Sequence, residues 1–203
     1  AIERRPVIRT MRRAAAVTAV AATMTLGGCA LITPTAPVKT PSALEACAHS
    51  TVWTLDTAAL QAQLVPMFAE SGVAVSEVLV SGTQTFEWTE NGHVTIESAY
   101  TITATAPSDV AETPWIVTQT VTGTTTGRAY FSDVIAVPRD WNADGLVIET
   151  IGTKGAEPLE VPAFAVPRTI LDDTVGLEVV CTPELMTTHG RGTDLVLTWL
   201  PAS

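Results

Sequence analysis

After residue 72, apolar and polar side chains alternate with a period of two along most of the chain. This alternation is typical of β-strands that bury one face. The clearest case covers residues 94–105, and the preceding Glu90-Asn91-Gly92 is a tight-turn signal that joins it to residues 84–89 as a hairpin. Further strands are predicted over 75–81, 115–125, 128–137 (after a turn at Gly127), 146–153, 176–181 and 194–200.

One earlier segment, residues 56–72, follows a helical period instead. Asp56 is suited to cap its start and Gly72 to end it, whereas Pro66 is expected to kink or divide it. The residues that recur on one face of this helix are Leu60, Leu64, Met67 and Phe68. We interpret this stripe as core packing rather than as a ligand groove.

Several strands with short connections and one helix predict a mainly antiparallel β fold of the α+β class. We expect a twisted sheet or sandwich of about seven or eight strands, with one N-terminal helix packed on it.

The start of the chain has a different pattern. A basic stretch at Met11-Arg12-Arg13 is followed by an uncharged apolar run over residues 14–26, which ends in Leu26-Gly27-Gly28-Cys29. The run is too short to span a bilayer, which takes about 20 apolar residues, but it has the length of a signal-peptide apolar region. The segment resembles the lipobox signal peptide of bacterial lipoproteins.

That resemblance implies lipid attachment to Cys29 and cleavage just before it. We expect a signal peptide over residues 1–28 (with 1–10 as an upstream extension or a longer basic region), a lipidated, proline-rich tether over 29–46, and a single globular domain over 47–203. A buried N-terminal helix with an incidental cysteine is the alternative. The scarcity of lysine and abundance of alanine, threonine and valine predict an actinobacterial source, in which the anchor faces outward from the cell membrane.

The exported part is strongly acidic. The full chain has a net charge of −10, and the loss of five arginines and one glutamate with residues 1–28 changes it to −14. Such a surface repels phosphate backbones, so no nucleic-acid partner is expected. The lipid on Cys29 would then provide the contact with the membrane.

With Cys29 assigned to lipid, Cys47 and Cys181 form an even pair in an oxidising compartment, which predicts a disulfide. In the chain-entropy model so long a loop contributes about 4–5 kcal/mol of stability. Two free buried thiols are the alternative. A metal role is weaker, because His49 alone beside Cys47 makes no ligand set.

A polar motif, Asp140, Asn142 and Asp144 followed by Gly145, resembles the first half of an EF-hand calcium loop. These three residues are the candidate metal ligands. However, Ile151 occupies the position at which that loop requires a bidentate glutamate, and the flanking residues have strand patterns. We therefore favour a polar turn between two strands, without a metal.

Aromatic residues give the candidate ligand-binding positions. Phe86 and Trp88 would lie on one side of a strand, with core packing as their alternative, and Trp141 would lie in a turn. The histidines, His49, His93 and His189, have no metal-ligand spacing, and the chain has no Gly-x-Ser-x-Gly elbow. No catalytic residue is therefore assigned and no cofactor is expected.

Together these features predict an outward-facing, membrane-anchored lipoprotein that acts as a non-enzymatic binding or accessory module of the cell envelope. Its partner would be an envelope protein or a small ligand. A large apolar cavity would instead favour a carrier of envelope lipid or another small ligand, and a convergent His-acid-Ser set would favour a hydrolase. A flat, uncharged, exposed patch with no pocket would favour a protein partner.

Overall fold

The alternating segments form antiparallel strands in a computed structural model that describes residues 40–70, 75–106, 113–159 and 176–203. The helices are Ala43–Ala48 (α1) and Thr57–Glu70 (α2). The strands are Trp53–Leu55 (β1), Glu77–Trp88 (β2), His93–Ala106 (β3), Trp115–Ser132 (β4), Ile135–Lys154 (β5), Glu157–Leu159 (β6), Leu177–Thr182 (β7), Leu185–Gly190 (β8) and Val196–Pro201 (β9). Within these ranges, no helix is both long enough and apolar enough to cross a membrane.

The sheet closes on itself. Its strand order is β4-β3-β2-β1-β9-β8-β7-β5, and β5 pairs in turn with β4, while β6 adds to β5. The prediction of a mainly antiparallel β fold is confirmed. The eight strands of the ring form a closed barrel, a closure that the predicted open sheet or sandwich did not include.

Inward-facing side chains fill the barrel, as is typical of barrels with about eight strands. The largest of them are Trp53, Trp88 and Trp199, each no more than 2% exposed. The indole nitrogen of Trp53 donates to the carbonyl of Ala48 at 3.0 Å, and that of Trp199 donates to the hydroxyl of Thr188 at 2.9 Å. The indole donors of Trp53 and Trp199 are thereby satisfied inside an apolar core.

Helix α2 completes the wall where β1 is short. β1 reaches only Thr85 and Phe86 of β2 and residues 199–201 of β9. Beyond its end, Val80 of β2 donates its amide to Gln61 Oε1 at 2.9 Å. The side-chain amide of Gln63 exchanges two hydrogen bonds with the backbone of Val196, at 2.6 and 3.0 Å. Glutamine side chains of the helix thus take the place of a neighbouring strand.

The helix itself agrees in part with its prediction. Asp56 caps its start, since the Ala59 amide donates to its Oδ1 at 2.9 Å, and Leu60 and Leu64 are buried. Pro66 lies inside the helix without dividing it. Gly72, the predicted stop, lies outside the described residues. The prediction of a single helix is wrong, because α1, capped by Ser42 and Glu45, begins within the segment assigned to the tether.

The disulfide predicted between Cys47 and Cys181 is present, with a Cα–Cα distance of 6.0 Å. It joins α1 to β7. Because β7 belongs to the barrel, this bond fixes the first helix of the described chain to the barrel wall.

Two predicted turns are wrong. Gly127 lies within β4, and residues 140–145 lie within β5, so these strands form one long hairpin. The pairing shifts register on either side of Thr126, and Asp140 has a φ of 51°. The polar residues therefore accommodate a bulge rather than a chain reversal. The turn at residues 90–92 is confirmed, with Gly92 at a φ of 79°.

Candidate functional site

A surface rich in threonine and poor in charge covers part of the outer side of four neighbouring strands, β2 to β5. The alternation of burial places about every second residue of β2, β3 and β4 outward, and the strand register aligns those residues in rows with residues of β5. We call this surface the threonine face. It consists of Leu79, Ser81, Thr83, Ala99, Thr101, Thr103, Thr105, Ile116, Thr118, Thr120, Thr122, Val147, Ile151 and Thr153.

The threonine face combines apolar and hydroxyl groups, and Glu149 on β5 is the carboxylate that lies between its members. Ile151 and Leu79, at its opposite sides, are 63% and 51% exposed. Between them, the hydroxyls of Thr103 and Thr118 lie 3.4 Å apart, and a neighbouring threonine pair has the same spacing. Such cross-strand pairs stabilise a sheet and satisfy part of the hydrogen-bonding capacity of the hydroxyls.

Carboxylates border this surface. Glu77 and Glu97 precede the face residues of β2 and β3, and Glu149 lies on β5 between Val147 and Ile151, opposite Thr120. A neutral centre with an acidic border resembles the arrangement of protein interfaces, in which charge is depleted at the core and concentrated at the rim.

The candidate ligand-binding pair Phe86 and Trp88 lies inside the barrel, with exposures of 1% and 2%. Their rings contact each other edge-to-face at 5.8 Å, and Trp88 stacks on Phe131 at 4.5 Å. Both rings therefore pack in the core, as the alternative interpretation held. The third candidate, Trp141, is half-buried in β5 and lies over Gly127, where a Cβ would overlap its ring.

A small cavity lies above this aromatic cluster. It is lined by Glu45, His49, Glu90, Asn91, Gly92, Ala129, Tyr130 and Phe131 and has a volume of about 140 Å³. We call it the His49 pocket. The His49 ring lies 5.6 Å from Trp88 and 6.4 Å from Phe131. Burial lowers the pKa of His49, against the opposing charges of Glu45 and Glu90, so its imidazole is neutral at pH 7.

The candidate metal ligands are exposed on the bulged part of β5. Asn142 Oδ1 accepts a hydrogen bond from the Asp144 amide at 2.8 Å, a local contact that supports the bulge. In the described ranges, no group of three histidine, cysteine, aspartate or glutamate side chains is arranged to hold a metal ion. Cys29, the predicted lipidation site, lies outside those ranges.

Sequence reasoning missed both sites. The threonines were recognised as the polar sides of separate strands, but the strand order that joins them was not. His49 was judged only for metal ligation with Cys47. The signal that could have found it is its position two residues from a predicted disulfide, which holds a helix against the barrel.

No protein-family model matches the chain, and no curated protein is significantly similar to it.

Proposed function

We propose that this chain is a lipid-anchored, non-enzymatic binding module of the cell envelope that docks another envelope protein on its threonine face. The observation that carries the proposal is the scarcity of charge at the centre of this face. In a chain of 203 residues with 21 acidic and 11 basic side chains, the outward residues at the centre of this face on β2, β3 and β4 present hydroxyls, methyls and aliphatic chains, and carboxylates occur at its margin and on β5. Uncharged groups cost less to remove from water than charges do.

The size of the threonine face indicates a weak contact. Strand spacings of about 4.8 Å and a rise of about 3.3 Å per residue give the face an extent of roughly 15 by 20 Å. A standard interface buries about 800 Å² on each partner. The face is smaller than this standard area. It therefore matches a transient interaction, and we expect a dissociation constant in the micromolar range.

The border of the face favours a particular kind of partner. Glu77, Glu97 and Glu149 would oppose one another in a symmetric dimer, and both copies would carry a net negative charge. A partner surface with an uncharged centre and a basic rim would complement both the threonine face and the carboxylates around it. We therefore assign the occupant to a different protein rather than to a second copy.

Other observations agree with this assignment. Tryptophan, phenylalanine and aliphatic side chains fill the described barrel interior. This filling favours a packed core over a lipid-binding cavity. The disulfide fits an oxidising compartment, as export requires. Lipid on Cys29 would hold the domain beside the membrane.

A photo-crosslinking amino acid placed at Ile151 tests the docking surface in living cells of the source organism. Ile151 is 63% exposed on the threonine face, and Val180, 65% exposed on β7, is the matched control position. We expect one defined adduct from Ile151 and none of that mass from Val180. Leu79→Glu, which adds a charge across the face, should abolish the adduct, whereas Leu200→Glu on β9 should preserve it.

The docking proposal fails if Val180 yields the same adduct or if Leu79→Glu leaves the Ile151 adduct intact. Thermal melting of both glutamate variants shows whether each remains folded. Gel filtration of the purified domain tests whether a second copy of the chain occupies the threonine face instead. A dimer that Leu79→Glu dissociates would identify that second copy as the partner.

The anchor has its own test. Mass spectrometry of the protein extracted from membranes should find an N-terminal peptide that begins at Cys29 and carries diacylglycerol. Cys29→Ala should release the protein from the membrane fraction or leave it unprocessed. A mature chain with an unmodified Cys29 would contradict the anchor without affecting the docking surface.

A further inference from the structure

Two arginines lie side by side on the outer surface of the β4–β5 hairpin. Arg128 of β4 is the register partner of Arg139 of β5, and both side chains are exposed. His93 of β3 is the next residue in the same row. The proposed exported part, residues 29–203, has six lysines and arginines in all. This pair therefore holds a third of that basic charge in a strongly acidic chain.

The arrangement is unfavourable for the chain by itself. Residues directly opposite each other in an antiparallel pair have Cβ atoms about 5 Å apart, and like charges there destabilise the sheet. Among the described residues, no carboxylate lies within 4.0 Å of either guanidinium group. Asp133 in the turn of the hairpin and Asp140 beside Arg139 thus do not neutralise the pair. Both guanidinium groups are consequently available to an anion from outside the chain.

Exposed apolar side chains continue from the arginines to the tip of the hairpin. Tyr130 and Val137 are register partners and are 43% and 37% exposed, and Val134 in the turn is 50% exposed. Arginine and tyrosine suit the boundary between lipid head groups and acyl chains, because each combines an apolar body with a polar end. We call this surface the arginine end of the hairpin, and it consists of Arg128, Tyr130, Val134, Val137 and Arg139.

The chain enters the domain beside this end. Glu45 of α1 and Tyr130 of β4 both line the His49 pocket, so α1 lies next to the arginine end. Cys29, the proposed site of lipid, precedes Ser42, the N-cap of α1, by 13 residues. Thirteen residues span at most about 45 Å. A lipid on Cys29 would therefore keep the bilayer within reach of the arginine end.

Contact with the bilayer would be confined to this end. The exported part has a net charge of −14, and phosphate groups repel such a surface wherever arginines are absent. The threonine face lies toward the other end of the same hairpin. Ile151 follows Arg139 by 12 residues of β5, which is up to about 40 Å of strand. Membrane contact at the arginine end thus leaves the threonine face open to a protein.

We propose that the arginine end binds phosphate groups of phospholipids in the bilayer that holds the anchor. The two guanidinium groups donate hydrogen bonds to phosphate oxygens, which match the planar fork of arginine. Tyr130, Val134 and Val137 contact the lipid below the head groups. This inference rests on the proposed lipid anchor at Cys29, but it does not depend on docking at the threonine face.

Quenching by brominated phospholipids tests the contact. The intact lipidated protein is reconstituted in vesicles that contain phosphatidylglycerol, with a fluorescent amino acid in place of Val134 in one sample and of Ile151 in another. Both positions are exposed, so a difference between them reports contact with lipid. We expect brominated acyl chains to quench the fluorophore at position 134 about twofold or more and to leave the one at position 151 nearly unchanged.

Charge-removing variants test the role of the arginines. Arg128→Gln combined with Arg139→Gln should remove most of the quenching at position 134. Lys154→Gln combined with Arg191→Gln removes the same charge from two other exposed positions and should leave the quenching unchanged. Thermal melting shows whether each double variant remains folded.

Flotation with the vesicles separates failure of the anchor from failure of the arginine end. A chain that does not float lacks the anchor on which the proposal rests. A chain that floats but is quenched equally at positions 134 and 151, or responds equally to the two double variants, would overturn the proposal. If inorganic phosphate shifts the arginine side-chain signals of the isotope-labelled protein while lipid quenching is absent, the pair binds free phosphate and the membrane contact is refuted.

Discussion

At the scale of single residues, Gly123 occupies a conformation that glycine alone tolerates. Its φ is 110°, and a Cβ added there would overlap the Gly145 carbonyl oxygen on β5. Gly123→Ala should therefore lower the free energy of unfolding by about 3 kcal/mol or more, as strain and steric overlap add. Urea denaturation measures this change.

Gly192 provides the control for that substitution. It also has a positive φ, of 85°, but a Cβ there would have no neighbour within 4 Å. Gly192→Ala should cost only the conformational strain, about 1–2 kcal/mol. Equal losses of unfolding free energy for the two variants would show that the close approach of β4 and β5 adds nothing to the effect of Gly123→Ala.

At the scale of secondary-structure elements, Gln63 shows how a helix can complete a sheet. Gln63→Leu keeps a similar volume but removes both hydrogen bonds to Val196. It leaves a backbone donor and acceptor unsatisfied, at about 1–3 kcal/mol each. We expect a loss of roughly 2–4 kcal/mol in urea denaturation. Gln61→Leu removes one hydrogen bond, to Val80, and should lower the free energy of unfolding by about half as much. A smaller loss for Gln63→Leu than for Gln61→Leu would contradict this role of the helix.

Individual elements were predictable wherever one face is buried. The alternation over residues 94–105 gave a strand with the correct buried face, and the helical period with Asp56 as its cap gave a helix that buries Leu60 and Leu64. The prediction failed at Asp140 to Gly145, because a β-bulge and a turn select the same residues: short polar side chains and positive φ. At Pro66, the expected division of the helix does not occur, although a proline inside a helix removes one backbone hydrogen bond.

At the scale of the whole molecule, closure of the barrel could not be predicted from the sequence. Periodicity shows which face of a strand is buried, but not which strand lies beside it. The pairings β1–β9 and β5–β7 join distant parts of the chain, and the threonine face exists only because β2 to β5 are neighbours. The His49 pocket likewise joins residues 45–49, 90–92 and 129–131, whose proximity depends on that strand order.

The disulfide was the long-range contact that the sequence did predict, and its effect on the whole molecule can be measured. It closes a loop with a sequence separation of 134, so the chain-entropy model gives about 4–5 kcal/mol of stabilisation. The double variant Cys47→Ser, Cys181→Ser should lose that amount in urea denaturation. Because neither cysteine lies on the threonine face, Ile151 crosslinking should persist in the double variant. An unchanged free energy of unfolding in the double variant would contradict the stabilising role of this disulfide.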